Sequence, residues 1–350
     1  MKTTYLLLCL LGIGSVSGAG QTKQPQKIGD FIESTSYNEH RRNATRSLQY
    51  TPDGDDFVCI NGKNRFTRAL YGSHTAFRLE TSDRPVFAAY TKENPKHICF
   101  KLQTSGGTVA LDSTEHCESR YTAGRRSYSL SDPAFGGGSL SITTWALPDK
   151  EGAIWQFNAR NFKEFHPVLL ASISEIRNSK LNRNGDMGAD PADSFEAPLQ
   201  PQQLQSFPVQ IDGTLYILLE NQELRTLTTA EGENLFKKAE AARSETASRI
   251  RIETPDPYFN TLGSTLAMAA DGIWDGEVWL HGAIGWRMPL SGWRAAYTGD
   301  VLGWHDRART HFNAYAASQV TEVPNTSPSG TRFRPASGTF RQEMGYTPIQ

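Results

Sequence analysis

Five of the seven tryptophans in this 350-residue sequence fall within 31 residues: Trp274, Trp279, Trp286, Trp293 and Trp304. Asp275, Glu277, Asp300, Arg287 and Arg294 are interleaved with them, and Asp271, Asp306, His281 and His305 lie close by. Indole rings stack on the apolar faces of sugars, while carboxylates and guanidiniums hydrogen-bond sugar hydroxyls, so the mixture suits an oriented polar ligand. Glycoside hydrolysis also needs two carboxyl groups, one acid and one base or nucleophile. The catalytic candidates are therefore Glu277, Asp275 and Asp300. The substrate-binding candidates are Trp279, Trp286, Trp293, Trp304, Arg287 and Arg294. Asp275 and Glu277 come first, because their flanking tryptophans would exclude water. Asp271 reads as structural, and Asp300 could equally pair Arg294 or Arg307. Large aromatics also fill helical cores, and on that reading the cluster is packing.

Other possible chemistry is sparser. Asn182, Asn184, Asp186 and Asp190 alternate around glycines as in a calcium loop, but Met187 stands where an EF-hand needs glycine and the closing glutamate is missing. An ordinary loop is the better reading, with no metal and no cofactor expected. Asn43-Ala44-Thr45 and Asn325-Thr326-Ser327 match the glycosylation pattern. The 36 basic residues balance 37 acidic ones, which gives no electrostatic reason to bind nucleic acid or an anionic membrane. Carbohydrate is the partner expected.

The elements that must carry these residues fall into two textures. From Asp56 onward, short alternating runs separated by turn residues predict a mainly β N-terminal sandwich. The runs cover 56–60, 75–80, 86–90, 97–102, 108–111, 128–130, 139–145, 154–157, 168–176 and 215–219. Asn61-Gly62 and Asp212-Gly213 read as hairpin turns, and Ser105-Gly106-Gly107 as another turn. Residues 230–250 are rich in Ala, Glu, Lys and Arg and read as a helical linker. Thr254-Pro255-Asp256-Pro257 then offers a helix start. One helix is expected over 261–274 and a second from Gly292 to about Val320. On that second helix Trp293, Tyr297, Asp300, Trp304 and His311 share a face beside a stripe of Val301, Ala308, Phe312 and Tyr315.

The N-terminus carries Lys2, a short apolar run over 6–11 and small residues at Ser15, Ser17, Gly18 and Ala19. These read as a signal peptide cleaved near Gly18 to Gly20, and hence as export to the periplasm or beyond. No later stretch has the ~20 apolar residues of a membrane span. Of the remaining cysteines, Cys59, Cys99 and Cys117, the last two could bridge neighbouring strands; buried free thiols are the simpler reading. The expected organisation is signal peptide 1–20, polar leader 21–55, sandwich 56–229, helical linker 230–253, helical domain 254–323 and irregular tail 324–350.

Three segments together resemble an exported bacterial six-hairpin glycosidase-like family. They are Thr254-Pro-Asp-Pro-Tyr-Phe-Asn260, Ala269-Ala-Asp-Gly-Ile-Trp-Asp275, and Trp293-Arg294 with Tyr297, Asp300, Gly303-Trp304 and Arg307. Gly185-Asp-Met-Gly-Ala-Asp-Pro191 and Asp83-Arg-Pro-Val-Phe87 are similar to its N-terminal sandwich. The resemblance implies a β-sandwich followed by an α-helical segment resembling the start of an (α/α)6 toroid. Its implied function is that of a glycoside hydrolase acting on a polysaccharide or oligosaccharide, or of a non-catalytic carbohydrate-binding exported protein. Twelve helices of about 11–12 residues need well over 200 residues. Under 100 follow Thr254, so a truncated toroid and no catalysis by this chain alone are expected.

Overall fold

The computed structural model describes residues 50–63, 68–72, 77–90, 96–162, 167–176, 204–209, 213–280 and 296–317. The expected signal peptide, most of the leader, both glycosylation patterns, the 182–190 loop and the tail lie outside these residues.

Two antiparallel sheets form the body. The first runs, in spatial order, through β1 (Thr51–Asp53), β2 (Asp56–Ile60), β8 (His116–Thr122), β9 (Arg125–Ser131), β10 (Ser139–Ala146), β11 (Gly152–Arg160), β14 (Thr214–Glu220) and β15 (Glu223–Leu227). The second orders β13 (Leu204–Pro208), β12 (Val168–Glu175), β6 (Lys96–Thr104), β5 (Val86–Tyr90), β4 (Arg78–Thr81) and β3 (Arg68–Tyr71), with β7 (Gly107–Ala110) added to β6. β6 is the spine of this sheet. One edge pairs with β12, and the other is shared between β5 up to Cys99 and β7 from Lys101. Period-two alternation turns one face of each sheet inward, which is why the sequence pattern predicts a sandwich. Phe87 and Phe100 of the second sheet meet Trp155 of the first edge-on, with centroids 5.4 and 5.7 Å away, and Phe100 meets Phe157 at 5.0 Å. Each aromatic so buried contributes roughly 1.5–3 kcal/mol.

Two predicted hairpins are not hairpins. Asn61 takes the positive φ of 50° that its residue type allows. Its side chain accepts the Cys117 N–H at 2.8 Å, and Gly62 presses on Asp83. The turn thus sends the chain out of one sheet toward the other. Residues 210–212 lie outside the described residues, but the flanking β13 and β14 belong to different sheets. A tight hairpin does join β14 to β15, where Asn221 and Gln222 both have positive φ. Cys99 and Cys117 also sit in different sheets. Cys117 is buried in the main core while Cys99 faces Ser172 at 2.9 Å, so no bridge joins them.

Residues 229–247 are not a linker. They form α1 (Thr229–Ala247), opened by a capping box between Thr228 and Glu231. α1 lies on the outer face of the first sheet, where Ala239, Leu235 and Phe236 cover Trp145, Ile154, Tyr216 and Leu218. The Phe236 and Trp145 centroids are 3.9 Å apart. Asp256 then caps a short turn, α2 (Pro257–Asn260), with Pro257 in its first turn, as the sequence predicts. α3 (Leu262–Gly272) packs on α1 through Met268 and Ala247. The long helix expected from Gly292 is interrupted. Helical residues 296–301 end at Gly303, whose φ of +82° breaks the helix, and α4 (His305–Ala317) begins afresh. Val301, expected on an apolar stripe, is 87% exposed.

Candidate functional site

α1 turns one small-sided face toward the rest of the helical segment. Ala239, Ala242 and Thr246 recur at helical spacing, with Arg243 and Arg249 on the same side. The small side chains leave room where larger ones would close the gap. Gly272 rests against the Tyr71 ring, a contact that leaves no space for a Cβ, and this holds the end of α3 on the sheet edge. Asp271 and Trp274 are thereby delivered opposite α1. Trp304, at the helix break, and Arg307, on α4, complete the enclosure. The result is a cavity of about 320 Å³ between sandwich, α1 and helical segment. That volume is near the lower limit of the roughly 300–1,000 Å³ typical of small-molecule sites.

Its polar groups are held by definite partners. Arg243 grips Glu240 through Nη2 and Nε at 2.5 and 2.9 Å and donates Nη1 to the Ala123 carbonyl at 3.0 Å. Glu240 also accepts the Trp145 indole N–H at 2.9 Å. Arg307 donates to Asp271 at 2.6 Å, while its guanidinium lies 4.7 Å from the Trp304 ring centre and 5.6 Å from that of Trp274. Arg249 donates to the Leu302 carbonyl at 2.8 Å and stacks on Trp304 at 4.9 Å. Burial pushes the Tyr71 phenol, on the cavity wall, up to about 12, so it stays a neutral hydroxyl. The arrangement can stack a planar or apolar face and bond oxygen atoms with fixed donors. Among the described residues no cluster of metal-binding side chains is present.

Of the sequence candidates among the described residues, only Trp304 lines this cavity. Trp286, Arg287, Trp293 and Arg294 lie outside the described residues. Trp279, expected to stack on substrate, is 0% exposed. Its indole N–H is donated to the Ala270 carbonyl at 3.0 Å, and its backbone N–H to His311 at 3.1 Å. It is the hub of a small core with Ala296, Trp304 and Ala308, because a bridge to Trp274 folds residues 273–280 back on themselves. Asp275 is the turn residue of that fold-back. Its carboxylate accepts the Glu277 and Val278 N–H groups at 2.9 and 2.7 Å, so it braces the loop and does not face the cavity. Glu277 is exposed at the loop tip. Asp300 is exposed too, and it contacts His305 at 2.6 Å, while Arg307 pairs with Asp271. None of the three catalytic candidates lines the cavity.

Residues that the sequence reading passed over take their place. Tyr71 arrives from the second sheet, and Arg243, Glu245 and Arg249 from the stretch expected as a linker; Asp271, which the sequence reads as structural, also lines the cavity from the end of α3. One signal was available: alanines and a threonine at helical spacing bordered by arginines mark a helix face that others approach closely.

A family model, a domain of unknown function (DUF4450), matches residues 95–250. The match runs from the start of β6 to just beyond α1, so it takes in Arg243, Glu245 and Arg249 but not the wall formed by Tyr71, Asp271, Trp274, Trp304 and Arg307. No curated protein matches the chain.

Proposed function

We propose that the protein binds a saccharide in the cavity between α1 and the wall formed by Asp271, Trp274, Trp304 and Arg307, as a carbohydrate-binding relative of glycoside hydrolases. The observation that carries the proposal is the convergence of aromatic surface from Trp274, Trp304 and Tyr71 with Arg249, Arg307 and Asp271 around about 320 Å³. Binding is favoured over hydrolysis because hydrolysis needs two carboxyls flanking one bond. Of the carboxylates among the described lining, Asp271 is tied to Arg307 at 2.6 Å and the Glu245 side chain is 78% exposed, so they make no enclosed pair about one bond. Export belongs to the same proposal, on the strength of Lys2, the apolar run over 6–11 and the small residues that follow.

A glycan-array screen of the whole chain, followed by calorimetric titration of the best hits, tests the proposal. Trp274→Ala should weaken a hit about tenfold or more, since 1.4 kcal/mol is a factor of ten and a stacked face supplies at least that. Hits that bind this variant unchanged would place recognition elsewhere.

A further inference from the structure

The charges in the cavity are unevenly matched, and this bears on the ligand. Arg243 is neutralised by its two bonds to Glu240. Arg307 has one partner, Asp271 at 2.6 Å through Nη1, which leaves its Nε and Nη2 donors open among the described residues. Arg249 donates Nη1 to a neutral carbonyl, that of Leu302. Its nearest carboxylate among the described residues is Glu245 at 3.8 Å, and that side chain is 78% exposed, so the pairing is screened by water. Both guanidiniums lie against one indole, 4.9 and 4.7 Å from the Trp304 ring centre. The ring's electron-rich faces hold the cations in place without neutralising them. Two guanidiniums thus lie against one largely buried ring, and among the described residues only Arg307 has a close carboxylate, Asp271.

We infer that the saccharide bound in this cavity is acidic, its carboxylate or sulfate seated between Arg249 and Arg307. The inference rests on the saccharide reading above. A planar guanidinium fork matches a pair of anionic oxygens and forms charge-assisted hydrogen bonds, which are about twice as strong as neutral ones. A neutral sugar would leave Arg249 with no counter-ion among the described residues closer than Glu245 at 3.8 Å.

Calorimetric titration of the whole chain tests the inference with three probes: a hexuronate disaccharide, its carboxyl-reduced neutral counterpart, and that neutral disaccharide carrying one O-sulfate. At least one acidic probe should bind about tenfold or more tighter than the neutral one, as one charge-assisted hydrogen bond would give. Which acidic probe wins identifies the anion. Arg249→Gln should bring the ratio close to one with little change in melting temperature. Arg249→Lys, which keeps charge but lacks the fork, should give an intermediate ratio, and it serves also if the glutamine variant is unstable. Equal binding of neutral and acidic probes would overturn the inference while leaving the saccharide site standing. Failure of all three to bind would overturn both.

Discussion

Glu240 sits where α1 meets the sheet, accepting from Arg243, Trp145 and Arg125 at once. Burial alone would raise its carboxyl, but the bond and charge of Arg243, with Trp145 and Arg125, outweigh it and hold the group below its ordinary value. A carboxyl lowered in the folded state adds stability that is present above its unfolded value, near pH 4.3, and lost as pH falls through the folded value. Glu240→Gln should therefore cost about 1–3 kcal/mol at pH 7. It should also flatten the decline of the urea midpoint below about pH 4.5; parallel decline in both proteins would deny Glu240 this role. Trp279 carries a different expectation. Because its ring is fully enclosed, Trp279→Ala should lower stability by about 3–5 kcal/mol, read from urea denaturation. A loss below about 1 kcal/mol would mean that the ring is not the hub of its cluster.

At the scale of elements, α1 is the piece whose role was least legible. It buries only Gly232, Ala239 and Ala247, so its composition is that of a solvated helix. Its attachment depends on smallness: a Cβ on Gly232 would overlap the Tyr216 ring. Gly232→Ala should destabilise by about 1–3 kcal/mol of overpacking, set against roughly 1 kcal/mol gained in helix propensity. Exposed Glu233→Ala should stay within about 0.5 kcal/mol. Thermal melts of the two variants compare them, and a Gly232→Ala melt above wild type would contradict the close approach. The strands were more readable, since 139–145 alternates and 86–90 is a short apolar run buried throughout. β8 was missed because its outward residues, His116, Glu118 and Arg120, give it a polar look despite inward Cys117 and Tyr121. The two turn dipeptides misled because positive φ serves crossovers between sheets as readily as hairpins.

For the whole molecule, the sandwich supplies a rigid base, α1 a small-sided wall, and the helical segment an aromatic and basic one. Trp304 and the 271–307 region were visible in the sequence as a concentration of indoles. Arg243, Arg249 and Tyr71 were not, because only the tertiary fold brings residues 71, 243, 249 and 307 together. No helix among the described residues is long and apolar enough to cross a membrane. The central claim is that the cavity itself is the ligand site. The most direct measurement is saccharide affinity of Ala242→Trp, which places a large ring in the cavity from a half-buried position on α1. Binding of the best saccharide ligand should fall by at least about tenfold while the melting temperature stays within a few degrees of wild type. Unchanged affinity in a well-folded Ala242→Trp protein would contradict the claim.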